Sequence, residues 1–158
     1  MSRYEKIAIY LGWVGEPTTE ARIQEFCDHF SALVLQAVID SPWVPGVREY
    51  LRDRYAQQRF VLLTATPQEE IQGILRTLDI AHCFEEVRGS PAKKATAMAE
   101  ALRRMQCVPE DALMIGDSES DLSAARANSV AFLLRSASIN QALQERYTGP
   151  TFERLTDE

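Results

Sequence analysis

Residues 112–121 read Ala-Leu-Met-Ile-Gly-Asp-Ser-Glu-Ser-Asp. A short apolar run stops at Gly116 and then presents Asp117, Glu119 and Asp121. Apolar residues bury a parallel strand on both faces. Gly116 lets the backbone turn and lets a ligand approach closely. Carboxylate oxygens are the hard donors of which Mg²⁺ takes one or two, together with waters and phosphate. The segment therefore suits a cation site at the edge of an α/β sheet. It equally suits a plain helix start, since Ser118, Glu119 and Ser120 favour a first turn. The flanking segments decide between the two.

Working outward toward the C-terminus, residues 130–134 read as a strand and 139–147 as a short helix, and the tail after Gly149-Pro150 is weakly specified. Toward the N-terminus, Gly89-Ser90-Pro91 turns into a helix over about 92–106, and a short strand fits 86–88. Pro67 suits the first turn of a helix running to about residue 78. Residues 59–64 read as a buried strand by the unbroken apolar run from Phe60 to Leu63. Val47, Tyr50, Leu51 and Tyr55 share one face of a helix over 47–57. Ser41-Pro-Trp-Val-Pro-Gly46 breaks an earlier helix over 18–40, whose start Thr18 or Thr19 can cap. From residue 47 onward helices and strands alternate. That predicts right-handed crossovers and a parallel sheet between helix layers, a three-layer Rossmann-like α/β fold.

The chain has 158 residues, enough for one domain with a substantial core. A net charge of −6 argues against a nucleic-acid partner, which calls for a basic surface. No apolar run approaches the ~18 residues of a membrane span, and Met-Ser-Arg-Tyr-Glu-Lys lacks the plan of a signal peptide. Cys27, Cys83 and Cys107 have neither metal-ligand nor disulfide spacing, so free thiols in a cytoplasmic protein are expected. His29 and His82 lack partner ligands in sequence, and Trp13 and Trp43 read as packing residues.

In parallel sheets ligands gather outside the carboxyl ends of the strands. Three such ends carry polar groups. Thr64-Ala65-Thr66 offers hydroxyls and backbone N–H groups before a helix start, a phosphate corner or an ordinary capped turn. Lys93-Lys94 places positive charge at a helix start, where the dipole disfavours it. The Asp117–Asp121 loop is the third. Taken in order, Leu-Leu-Thr64-Ala-Thr-Pro, Gly89-Ser-Pro-Ala-Lys-Lys94 and Met-Ile-Gly-Asp117-Ser-Glu-Ser-Asp121 resemble the haloacid dehalogenase-like (HAD) superfamily, specifically its phosphoglycolate-phosphatase-like branch. Val44-Pro-Gly-Val47 resembles that family's turn ahead of the second motif, and the likeness spans about residues 20–135. The resemblance implies a Mg²⁺-dependent phosphatase acting on a small phosphorylated metabolite. Thr64 and Ala65 would hydrogen-bond the phosphoryl group, Lys94 rather than Lys93 would neutralise it, and Asp117 and Asp121 would hold Mg²⁺ or orient its waters.

The family's first motif, an Asp-x-Asp at the end of a central first strand, has no counterpart here. Before Pro45 the aspartates are Asp28 and Asp40, and neither follows an apolar strand. Either residues 6–12 are a decayed first strand, or residues 1–43 are a partial helical cap and 44–158 a core lacking that strand. The second reading is preferred. Without its nucleophile this chain is expected to be inactive as written. The alternatives are a non-catalytic protein binding phosphate, Mg²⁺ or a protein partner, and, less favoured, a receiver-like domain. Removing a central strand would leave its neighbours ~9–10 Å apart. Three fillings are expected to compete: residues 7–11 insert, the two strands pair directly, or a second copy completes the sheet as a homodimer.

Overall fold

The computed structural model describes residues 3–155. Two helices come first, α1 (Arg3–Trp13) and α2 (Glu20–Ile39). The chain leaves α1 through Gly15, two residues past its end, in the left-handed region at φ 73°. There the Glu16 N–H donates to the Leu11 carbonyl at 3.0 Å and the Gly15 N–H to that of Gly12 at 3.3 Å, the paired closure that a glycine at this place permits. The Thr19 hydroxyl caps α2 by accepting the Arg22 N–H at 3.4 Å.

Residues 7–11 are therefore helical. They neither form a decayed strand nor insert into the sheet. Leu11 is buried and α1 packs along α2. Trp13 is 77% exposed, against the packing role expected of it; its ring contact is with Tyr10, one turn earlier on the same helix. Trp43 does pack, against the cluster containing Leu51, Ile71 and Ile74.

The remainder alternates as expected: α3 (Val47–Arg54), β1 (Phe60–Pro67), α4 (Gln68–Thr77), β2 (Phe84–Ser90), α5 (Lys94–Arg104), β3 (Leu113–Gly116), α6 (Glu119–Ala127), β4 (Ala131–Arg135), α7 (Gln141–Gln144) and β5 (Thr151–Phe152). Pro67 closes β1 in an extended conformation instead of opening α4. Helix α7 is shorter than expected, and β5 falls in the tail that the sequence left unspecified. Arg3 ties the helical pair to the α/β part, bonding both carboxylate oxygens of Glu70 on α4 at 2.7 and 3.0 Å and lying over the Phe30 ring. The hydrogen bond from Arg3 holds Glu70 below the ordinary carboxylate range, against the opposing pull of burial.

All strand pairs are parallel, in two sheets: β1–β2 and β3–β4–β5. Among the described residues β1 does not pair with β3, so direct pairing is not how the missing strand is replaced. Helix α5 bridges the two sheets instead. Leu63 of β1 and Met114 of β3 pack against one cluster of Met98, Ala124 and Val130. Strand side chains alternate between faces. On the opposite face, Phe60, Leu62 and Val87 pack on Leu51, Ile71, Ile74 and Leu75 from α3 and α4. That cover stops at β1, and Leu113 and Ile115 of β3 are 56% and 44% exposed. Water therefore reaches the β3 edge, which relieves the cost of burying its unpaired backbone groups.

The tail closes the far side. The Ser136 N–H donates to the Phe152 carbonyl at 2.8 Å, and the Leu155 N–H to that of Pro45 at 2.8 Å. Gly46, at φ 82°, lies so close beneath Leu155 that a Cβ there would sit 1.5 Å from the Leu155 carbonyl oxygen. Among the described residues no helix is long and apolar enough to cross a membrane.

Candidate functional site

Strand β2 and the turn after it are pressed against the end of β1. A Cβ on Gly89 would come 2.5 Å from the Thr66 carbonyl oxygen, so only glycine fits without displacing backbone. The Gln68 side chain locks this junction: its Nε2 donates to the Val87 carbonyl at 3.0 Å and its Oε1 accepts the Gly89 N–H at 2.6 Å. The Gly-Ser-Pro turn, which contains a cis Ser90–Pro91 peptide, then delivers Lys93 as N-cap and Lys94 as the first residue of α5.

Lys94 points across to the other half-sheet. Its Nζ lies 2.5 Å from Asp121 Oδ1. Asp121 is 4% exposed and is the one buried charged residue among those described. Its other oxygen, Oδ2, accepts the Ser118 hydroxyl at 2.6 Å and the N–H groups of Ser118 and Asp117 at 3.1 and 3.3 Å. The Ser118 hydroxyl in return accepts the Asp121 N–H at 3.3 Å, a reciprocal cap at the start of α6. Gly116 makes room for this, because a Cβ there would meet the Asp121 Cβ at 2.4 Å. The helix-start reading of residues 116–121 is thus realised, with Asp121 serving both as capping partner and as the contact of Lys94.

Asp117 is exposed, and its backbone carbonyl accepts Asn140 Nδ2 at 2.8 Å. Glu119 is turned away, paired with Arg146 at 2.9 Å. Thr64 is half-buried at the end of β1. Its hydroxyl donates to Thr66 Oγ1 and accepts the Thr66 N–H, both at 3.2 Å, and Ala65 beside it is exposed. The fold thus brings Lys94 and Asp121 into contact, sets Asp117 beside them, and places Thr64 and Ala65 at the neighbouring strand end. Gln68 and Asn140 escaped the sequence reading, because their bonds reach Val87, Gly89 and Asp117 far along the chain. Asp28 and Asp40 lie on and at the end of α2, bonded by Gln24 at 2.7 Å and Gln36 at 3.0 Å, rather than at a strand end.

Among the described residues no group of three or more His, Cys, Asp and Glu could hold a metal ion. Both Asp121 oxygens are engaged, whereas the Asp117 carboxylate makes no hydrogen bond among the described residues. One carboxylate with waters and a substrate phosphate is within the habit of Mg²⁺.

A family model of haloacid dehalogenase-like hydrolases matches residues 5–128, and the chain belongs to that family. Among solved structures it is similar to a haloacid dehalogenase-like hydrolase of Streptococcus pneumoniae (22% identity, TM-score 0.68, 92% of this chain and 75% of that one). It is also similar to a protein assigned as a phosphoglycolate phosphatase from Lactobacillus plantarum (18%, TM-score 0.75, 98% and 74%). A β-phosphoglucomutase of Clostridium difficile is a third (14%, TM-score 0.73, 99% and 74%). At these identities the likeness establishes the fold. No curated protein sequence matches the chain.

Proposed function

We propose that the corner formed by Thr64, Ala65, Lys94, Asp117 and Asp121 binds the phosphate of a small phosphorylated metabolite, in the manner of a phosphoric-monoester hydrolase site without its nucleophile. The contact of Lys94 with Asp121 across the two half-sheets is the observation that carries this reading. Phosphoryl chemistry needs positioning and charge stabilisation above all. Lys94 balances phosphate charge, Thr64 and the Ala65 N–H hydrogen-bond phosphoryl oxygens, and Asp121 fixes Lys94 and the α6 start. Asp117 would hold Mg²⁺, which when bound offsets charge on the phosphoryl oxygens. The similarity to a protein assigned as a phosphoglycolate phosphatase favours a small phosphorylated acid. Residues 1–43 then act as a partial cap over a core of 44–158 in a cytoplasmic protein.

Attack on phosphorus needs a carboxylate at a strand end opposite Lys94, and neither Asp28 nor Asp40 is placed there, so turnover by these residues alone is negligible. The test is hydrolysis of p-nitrophenyl phosphate with Mg²⁺, beside Asp117→Asn. Turnover lost in that variant would establish a nucleophile and overturn the inactive reading. Phosphate binding that Lys94→Gln abolishes, without turnover, supports the proposal.

The unpaired edges of β1 and β3 favour a second reading, a non-catalytic protein whose sheet is completed by a second copy. A dimer in sedimentation that Leu113→Lys dissociates supports it; a monomer at all concentrations ends it.

A further inference from the structure

We propose a second oxyanion-binding site, separate from the Lys94–Asp121 corner, in the cavity between the carboxyl end of β4, α7 and the tail. The cavity measures about 480 Å³, and its lining includes Arg135, Ser136, Ser138, Gln141, Gln144 and Arg154 together with one carboxylate, Glu153. That volume lies within the range of small-molecule sites. Two guanidinium groups, two hydroxyls and two carboxamides make its lining rich in hydrogen-bond donors.

The Arg135 Nε is buried and has no hydrogen-bond partner. Buried donors are almost always satisfied, and one that is not asks for an acceptor. An oxyanion is the acceptor that matches the planar fork of arginine, taking two parallel N–H bonds. Glu153 does not meet this need: among the described residues neither Arg135 nor Arg154 is ion-paired with it or with any other carboxylate.

The cavity is built rather than incidental. Its position outside the carboxyl end of a parallel strand is where such sheets bind ligands. The tail that carries Arg154 is pinned by Leu134 N–H to Pro150, Ser136 N–H to Phe152 and Leu155 N–H to Pro45, at 3.1, 2.8 and 2.8 Å. Asn140 fixes the opposite wall. Its Nδ2 donates to the Arg135 carbonyl at 2.9 Å and to the Asp117 carbonyl at 2.8 Å, while its Oδ1 accepts Gln144 Nε2 at 2.6 Å. One side chain thus joins this pocket to the loop of the first site. The ligand class is a small molecule bearing phosphate or carboxylate.

The test is titration of the isotopically labelled full chain with inorganic phosphate, and separately with malonate, at constant ionic strength, followed by amide NMR. Saturable shifts at Ser136–Ser138, Gln141 and the Gln144 carboxamide are expected. Arg135→Gln and Arg154→Gln should each weaken that binding about tenfold, a change of ~1.4 kcal/mol. Lys94→Gln should leave it intact while removing shifts at Ala65 and Ser118. Arg154 is exposed, so its variant keeps the test valid if Arg135→Gln fails to fold. Tighter binding of phosphate or of malonate identifies the source of the oxyanion. Absence of shifts at these amides, shifts reproduced by chloride, or saturation unchanged in the arginine variants overturns the site.

Discussion

The two half-sheets share one helix layer and differ on the other. Over β1–β2, side chains from α3 and α4 cover one face and α5 the other, so Phe60, Leu62 and Leu63 all have packing partners. Over β3, the α5–α6 face is equally well packed through Met114, but Leu113 and Ile115 face water. The difference teaches what holds the halves together. It is not a backbone ladder but helix α5, the Lys94–Asp121 pair and the tail clasped to Pro45. The candidate site lies on this seam, so its geometry depends on contacts that also carry stability.

The comparison can be broken most forcefully from within. Leu134 is fully buried in the β3–β4–β5 half. Leu134→Ala should cost about 2–5 kcal/mol in urea unfolding. If the halves are coupled only through the seam, hydrogen exchange should show β4 amides losing protection before those of β1; simultaneous loss would mean a single cooperative unit. Gly116→Ala comes next. Its new methyl would press on Asp121 and should cost about 1–3 kcal/mol, with loss of phosphate binding, measured by the same unfolding curves and by calorimetry.

Acid separates the helical pair from the rest. Glu70 has a depressed pKa in the folded chain, so the stability it contributes is complete above the ordinary carboxylate range. That stability is lost as pH falls through the depressed value. Exchange protection in α1 should fall in that window, and Glu70→Gln should abolish the dependence at a cost of about 1 kcal/mol. The smallest effect is expected at the bare face. Leu113→Thr should change the stability of a lone chain by less than about 0.5 kcal/mol. A larger loss in equilibrium unfolding would show that the face is covered in solution.

The alternating core was legible because its cues are local. Apolar runs ending in glycine or threonine, and prolines at the breaks, locate most strands and helices within a few residues. The Gly-Asp-Ser-Glu-Ser-Asp loop disclosed its cap and its carboxylates together because the same spacing serves both. Residues 7–11 were ambiguous because Ile7, Ile9 and Leu11 alternate as a strand would, while Gly15, through which the chain leaves the helix, lies outside that window. Trp13 departs from the packing role its sequence suggests, since exposure depends on what α1 lacks opposite it rather than on its own chemistry. Strand β5 was invisible for a related reason: Thr151–Phe152 has no pattern of its own and becomes a strand by pairing with β4. Gln68 and Asn140 act across long sequence separations, as does the break between β1 and β3, and no local pattern encodes such contacts.

The unpaired edges carry a consequence for the life of the chain in a cell. From Phe60 to Thr66 and from Leu113 to Gly116 there is no charged residue to deter a neighbour. Native sheets ordinarily guard such borders with charge, proline or a bulge; here only the ends of β1 carry such a guard, in Pro67 and an irregular register. A crowded compartment full of nascent polypeptides would find here a template for adventitious cross-β association. Synthesis rate, temperature and chaperone supply would then set how much of this protein stays dispersed.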